Sequence, residues 1–188
     1  MMSILNIARM GHPILRAVAE PVADPTAPEI RRLVADMLDT APEVGGTGLA
    51  APQVHVGQRV VVFTVGPERL TGRPLDQPQD WLALINPTIE PLTDEQELGW
   101  EGCLSVPGLR GAVPRWPTIR YRGLTPAGQI IDRVVEGFHA RVVQHECDHL
   151  DGVLYPQRMT DLRLLLFNEE AARFPIELPA DRERKAAE

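Results

Sequence analysis

The sequence predicts an α+β fold: short antiparallel strands packed around a central helix, with a further helix near each end of the chain. Residues 137–150 carry apolar groups at helical spacing, whereas several stretches between residues 60 and 135 are β-branched and bordered by turn formers. With 188 residues, 44% of them hydrophobic, the chain has the size of one domain that can bury a core.

The elements follow in order. Ile30, Leu33, Val34, Met37 and Leu38 mark one face of a helix near 27–41, and Thr26-Ala27-Pro28-Glu29 resembles a capping box at its start. Gly45 to Gln53 reads as a glycine-rich turn without the spacing of a phosphate-binding loop. Strands are expected at 60–63, 82–87 and 118–122, with a loop over 66–80. Pro126-Ala127-Gly128 turns the chain into a hairpin arm at 129–135. The helix at 137–150 comes next, then another near 160–173. We expect a single domain over 1–179 and a charged, disordered tail over 180–188.

The helix at 137–150 contains His145-Glu146-Cys147-Asp148-His149, an HExxH sequence. Histidines four apart project from one helix face, where their ring nitrogens can grip one metal ion while the intervening glutamate serves as general base. On a helical wheel Phe138, Val142, His145 and His149 share a narrow arc beside Glu146, and only Arg141, Gln144 and Asp148 form a polar stripe. A helix so largely buried needs a partner for its glutamate, and a metal with its water is one.

Catalytic metals usually take three protein ligands. The third falls to Cys103, because Cys147 lies two positions from either histidine and points to the far side of the helix. Cys147 is read as a small buried hydrophobe. A Cys103–Cys147 disulfide is the competing structural reading, disfavoured in an acidic chain without a signal peptide, which reads as cytoplasmic. The net charge of −7 argues against a nucleic-acid partner, and no apolar run is long enough to span a membrane.

Three segments together resemble the peptide deformylase family: Gly46 to Gln53 as GxGLAAxQ, Glu101 to Ser105 as EGCxS, and Gln144 to His149 as QHExxH. The likeness runs from Arg9 to about Met159. It implies removal of the formyl group from formylmethionine at the start of nascent chains. In that scheme Cys103, His145 and His149 hold one divalent metal, Fe(II) foremost, with Zn(II), Ni(II) or Co(II) able to occupy the same site. Glu146 is the general acid/base for a metal-activated water, and Gln53 and the backbone N–H of Leu104 are oxyanion donors. Glu101 and Arg115 match positions that brace the glycine turn, and Arg110 one beside the peptide. Gly46, Thr47 and Gly48 line the substrate side, and Phe138 and Val142 match the methionine pocket.

Thr47 stands where the family usually has Ile or Val, and Phe138 where many members have Leu, so side-chain preference is expected to differ. His55 and His139 are read as incidental. Bacterial members often end in a long basic helix that docks on the ribosome; the charged end of this chain does not match it, leaving transient ribosome association without that support. Two rival functions are a zinc endopeptidase, which normally takes a downstream third ligand, and a non-catalytic binding homologue.

Overall fold

The computed structural model describes residues 4–178. In chain order the elements are α1 (Pro28–Glu43), β1 (Gly48–Ala50), β2 (Val60–Val65), β3 (Gln79–Pro91), β4 (Glu97–Cys103), β5 (Val106–Arg115), β6 (Thr118–Leu124), β7 (Ile130–Glu136), α2 (Gly137–Leu150), β8 (Leu165–Phe167) and α3 (Asn168–Arg173). All strand pairings between them are antiparallel: five strands in the order β1-β2-β3-β6-β7 and three in the order β4-β5-β8. The fold is α+β.

Strand β2 explains how the larger sheet is packed. Its side chains alternate between two cores, Val61, Phe63 and Val65 joining residues of α2 on one face and Val60 and Val62 joining Ile30, Val34 and Met37 of α1 on the other. A strand covered on both faces needs an unbroken apolar run, which is why Val60-Val61-Val62-Phe63 is legible in sequence. The smaller sheet closes over a third cluster of Val106, Val113, Leu154 and Tyr155.

Several expectations are corrected. The C-terminal helix near 160–173 is instead a 3-10 turn (Leu162–Leu164), the strand β8 and a short α3. Backbone pairing of Leu165, Leu166 and Phe167 with Gly111, Arg110 and Leu109 overrides the helical propensity there. The capping box does not form: Ala27 is the N-cap of α1, while Thr26 gives both its N–H and its O–H to Asp24 Oδ1, at 2.8 and 2.7 Å. The 66–80 loop contains a 3-10 turn at Pro67–Arg69 and yields to β3 at Gln79. Strands β1, β4 and β5 have no counterpart among the expected elements, since their glycines and prolines hide the alternation. The expected tail over 180–188 lies outside the described residues, among which no helix is long and apolar enough to cross a membrane.

Register shifts in the β3–β6 ladder between Ile85 and Thr88, where Asn86 adopts φ 51°. Asn86 tolerates the left-handed region, and its amide clamps the N-terminal segment by accepting from Val22 N–H and donating to Val22 O, both at 2.8 Å. Asn86→Ala should therefore destabilise by about 2 to 4 kcal/mol, two hydrogen bonds plus the left-handed penalty. Asn86→Gly should lose only the hydrogen-bond part. Urea unfolding of both variants checks this; equal losses would remove backbone strain from the account.

Candidate active site

The site forms where the two sheets meet α2. Cys103 ends β4, and His145 and His149 lie one turn apart on α2. Their three ligand atoms lie within 4.8 Å of one another, with Cys103 Sγ 3.4 Å from His149 Nε2. Both cysteines are free, which removes the disulfide reading. Cys147 packs in the core with Val143 and Leu150, and burial pushes its thiol well up. Burial acts in the same sense on Cys103, but the adjacent imidazoles of His149 and His145 outweigh it and hold the Cys103 thiol well below its ordinary range.

Glu146 is buried beside these donors, and its Oε2 has no hydrogen-bond partner among the described residues. Burial pushes its carboxyl up to about 7 against the pull of the neighbouring histidines. Strand β1 passes so close that a Cβ on Gly48 would overlap Glu146 Oε1. Gly46 is similarly constrained, a Cβ there lying 2.9 Å from Leu104 Cδ1. Gly45, at φ 72° just after α1, lets the chain turn from the helix into this strand.

Gln53 follows β1 in a 3-10 turn and is 2% exposed. Its Oε1 accepts from Ala50 N–H at 2.9 Å, so the amide nitrogen is aimed at Ser105 Oγ (3.1 Å) and Cys103 Sγ (3.5 Å). Leu104 sits in the turn between β4 and β5.

Glu101 and Arg115 form a buried pair that reaches His145 of α2. Arg115 makes a two-pronged pair with Glu101 at 2.9 and 3.0 Å and reaches Asp148 at 2.6 Å. Glu101 Oε2 lies 2.8 Å from His145 Nδ1, and since a carboxylate only accepts, the imidazole carries its proton on Nδ1 and turns Nε2 to the site. Burial would raise the Glu101 pKa, but Arg115 and His145 overcome it and hold the carboxyl below the usual range.

The cleft above has a volume of about 970 Å³ and is lined by Gly46, Thr47, Gly48, Arg110, Phe138 and Val142 among others. Thr47 and Arg110 are exposed, Arg110 reaching Asn168 Oδ1 at 2.9 Å. His139 is a core residue, against Phe63 and Tyr121, and His55 packs edge-on against His12 away from the cleft. Sequence reasoning gave no role to Arg141, Asp148, Ser105 or Tyr155. Arg141 bonds Glu101 at 2.9 Å, and Asp148 also takes Arg158 at 2.8 Å. A polar stripe on an otherwise buried helix was the available signal for the first two, and the motif position of Ser105 for the third. Tyr155, stacked 6.3 Å from His145, carried none.

The polypeptide deformylase family model matches residues 4–164. A peptide deformylase of Ralstonia nicotianae is 53% identical over 94% of this chain and 97% of its own, and one of Bordetella pertussis 55% over 87% and 92%. Among solved structures, the peptide deformylase of Ehrlichia chaffeensis covers 98% of the chain and 97% of its own at TM-score 0.79 and 29% identity. The class I type b enzyme of Acinetobacter baumannii, bound to Met-Ala-Ser, covers 85% of this chain and all of its own at TM-score 0.76 and 36% identity. A match spanning the glycine turn, the cysteine strand and the histidine helix places this chain in the polypeptide deformylase family.

Proposed function

We propose that this protein is a metal-dependent peptide deformylase that hydrolyses the N-formyl group from N-terminal formylmethionine of nascent polypeptides and releases formate. The observation that carries the reading is the convergence of Cys103, His145 and His149 beside buried Glu146 at the floor of an open cleft. Relatives bearing the deformylase name support it, as does the Acinetobacter structure with a tripeptide that begins with methionine. The catalytic unit is taken as 1–179, acting in the cytoplasm, where nascent chains emerge.

The donor set fits a divalent cation. A thiolate and an imidazole sharing a tetrahedral ion are separated by roughly 3.4 to 3.6 Å, given bond lengths of about 2.3 and 2.0 Å. The observed Sγ to Nε2 distance is 3.4 Å. One sulfur and two imidazole nitrogens suit Fe(II), which we favour from the family resemblance, and equally Zn(II), Ni(II) or Co(II). When bound, such an ion acts as a Lewis acid and acidifies water for attack.

The remaining steps belong to the chain. Glu146 takes a proton from water as the new oxygen–carbon bond forms at the formyl group. It then gives that proton to the amide nitrogen as the carbon–nitrogen bond breaks, leaving formate and a free amine. Gln53 Nε2 and the Leu104 N–H donate to the developing oxyanion, and the Ala50 contact keeps the Gln53 amide from flipping. Glu101, itself held by Arg115, orients His145. Phe138 and Val142 receive the methionine side chain, Gly46, Thr47 and Gly48 face it from the strand side, and Arg110 lies beside the downstream peptide.

Cys103→Ala should abolish both metal retention and deformylation of formylmethionyl peptides, whereas Cys147→Ala should keep the metal. Elemental analysis of anaerobically purified protein decides, and equal metal loss in both variants would refute Cys103 as the sole thiolate ligand. Glu146→Gln should hold metal near the wild-type level while turnover falls roughly 10²- to 10⁴-fold. Substantial turnover in that variant would exclude Glu146 as the proton carrier. For Gln53→Ala, kcat should fall roughly 10²-fold with KM little changed, as expected of a lost oxyanion donor; a pure KM effect would argue against that role.

A further inference from the structure

One wall of the cleft is a loop, residues 66–78, between β2 and β3, and a buried carboxylate of its own, Asp76, fastens it to α2. Asp76 is only 2% exposed. Its Oδ2 accepts from Thr71 N–H (2.7 Å), Thr71 O–H (2.6 Å) and Phe138 N–H (3.2 Å), and its Oδ1 accepts from His139 N–H (3.1 Å). Phe138 and His139 lie in the first turn of α2, whose N–H groups have no partner within the helix and whose dipole favours a negative charge. The fit is tight: Gly137 adopts φ 59°, and a Cβ there would overlap Thr71 Oγ1 and Asp76 Oδ2.

Further contacts tie the loop down, among them a backbone bond from Glu136 N–H to Leu75 O (3.3 Å) and the approach of His139 Nδ1 to Gln77 O (3.3 Å). Leu75 N–H donates to Glu136 Oε2 at 3.0 Å, and Arg73 reaches both carboxylate oxygens of Glu97 in β4, at 2.7 and 2.8 Å. Just before these anchors in the chain, Arg69 lays its guanidinium 4.6 Å from the centre of the Phe138 ring. Arg69, Thr71, Arg73 and Phe138 all line the cleft. The guanidinium thus covers one face of the Phe138 ring, and Phe138 and Val142 line the same cleft.

We propose that Asp76 is a positioning residue for substrate selectivity: by pinning the 66–78 loop to the first turn of α2 it holds Arg69 on Phe138 and so fixes the pocket for the first side chain of the substrate. This inference rests on the deformylase reading, in which Phe138 and Val142 receive that side chain. Asp76 acts through the loop and the ring, not on the reacting atoms.

The test compares formyl-Met-Ala-Ser with formyl-Phe-Ala-Ser in the wild type, Asp76→Ala, Arg69→Ala and the double variant, with metal content and Tm measured for each. Either single substitution should change the ratio of the two kcat/KM values by roughly two- to fivefold, the size of one exposed cation–π contact, with the change in KM and not in kcat. The double variant should show the same shift as either alone. Unchanged ratios, or shifts that multiply in the double variant, would overturn the proposal. Thr71→Val removes only one hydroxyl donor and should move the ratio in the same direction by less, which serves if Asp76→Ala does not fold. Tryptic cleavage after Arg69 reports the anchoring independently of turnover: faster cutting in Asp76→Ala is expected, and an unchanged rate would refute the pinning. A wild type that leaves both formyl peptides intact, yet shows the accelerated cleavage on substitution, would sink the deformylase reading and leave the anchor standing.

Discussion

The Glu101 carboxylate is the contact on which the rest of the site depends. It is buried in β4 and shared by Arg115 of β5, Arg141 of α2 and His145 of α2. One group therefore joins the smaller sheet to the helix that carries the histidines. Removing one partner of such a buried pair costs about 3 to 5 kcal/mol, because the charge left behind is uncompensated. Charge pairing thus crosses the seam, with Cys103, two residues further along β4, set opposite His149.

The arrangement also explains several glycines. Arg141 passes over β4 where Gly99 leaves room, a Cβ there lying 2.6 Å from its guanidinium carbon, and donates to the carbonyls of Glu97 and Val113 at 2.9 and 2.8 Å. On the opposite side Gly48 lets β1 approach Glu146. Small residues at both edges allow two backbones to close on a helix dense with polar groups. Asp148 continues the network outward, pairing with Arg115 in the core and Arg158 at the half-exposed surface.

Beside that rigid centre, the cleft has walls of different character. The wall of β4 and β5 is sheet, with ladder hydrogen bonds along its length. The wall of residues 66–78 is a loop whose order comes from a few side-chain contacts to Asp76, Glu136 and Glu97. Loops held largely by side chains are where selectivity can change without disturbing the cluster of Cys103, His145 and His149.

The sequence by itself determined the α+β class, the strand at 60–63, the helix over Gly137–Leu150 and the cluster of Cys103, His145 and His149, because each depends on local periodicity or on residue types with few alternative uses. Only the tertiary structure decided the rest. Strands β4 and β5 exist through pairing with each other, β8 through pairing with β5 where the sequence favours helix, and neither kind of pairing leaves a periodic trace. The same holds for Asp76 and Arg69, which lie in a stretch with no pattern of its own. Their roles come from meeting Phe138 across 62 and 69 positions of chain, a distance over which sequence carries no phase and only packing sets the contact.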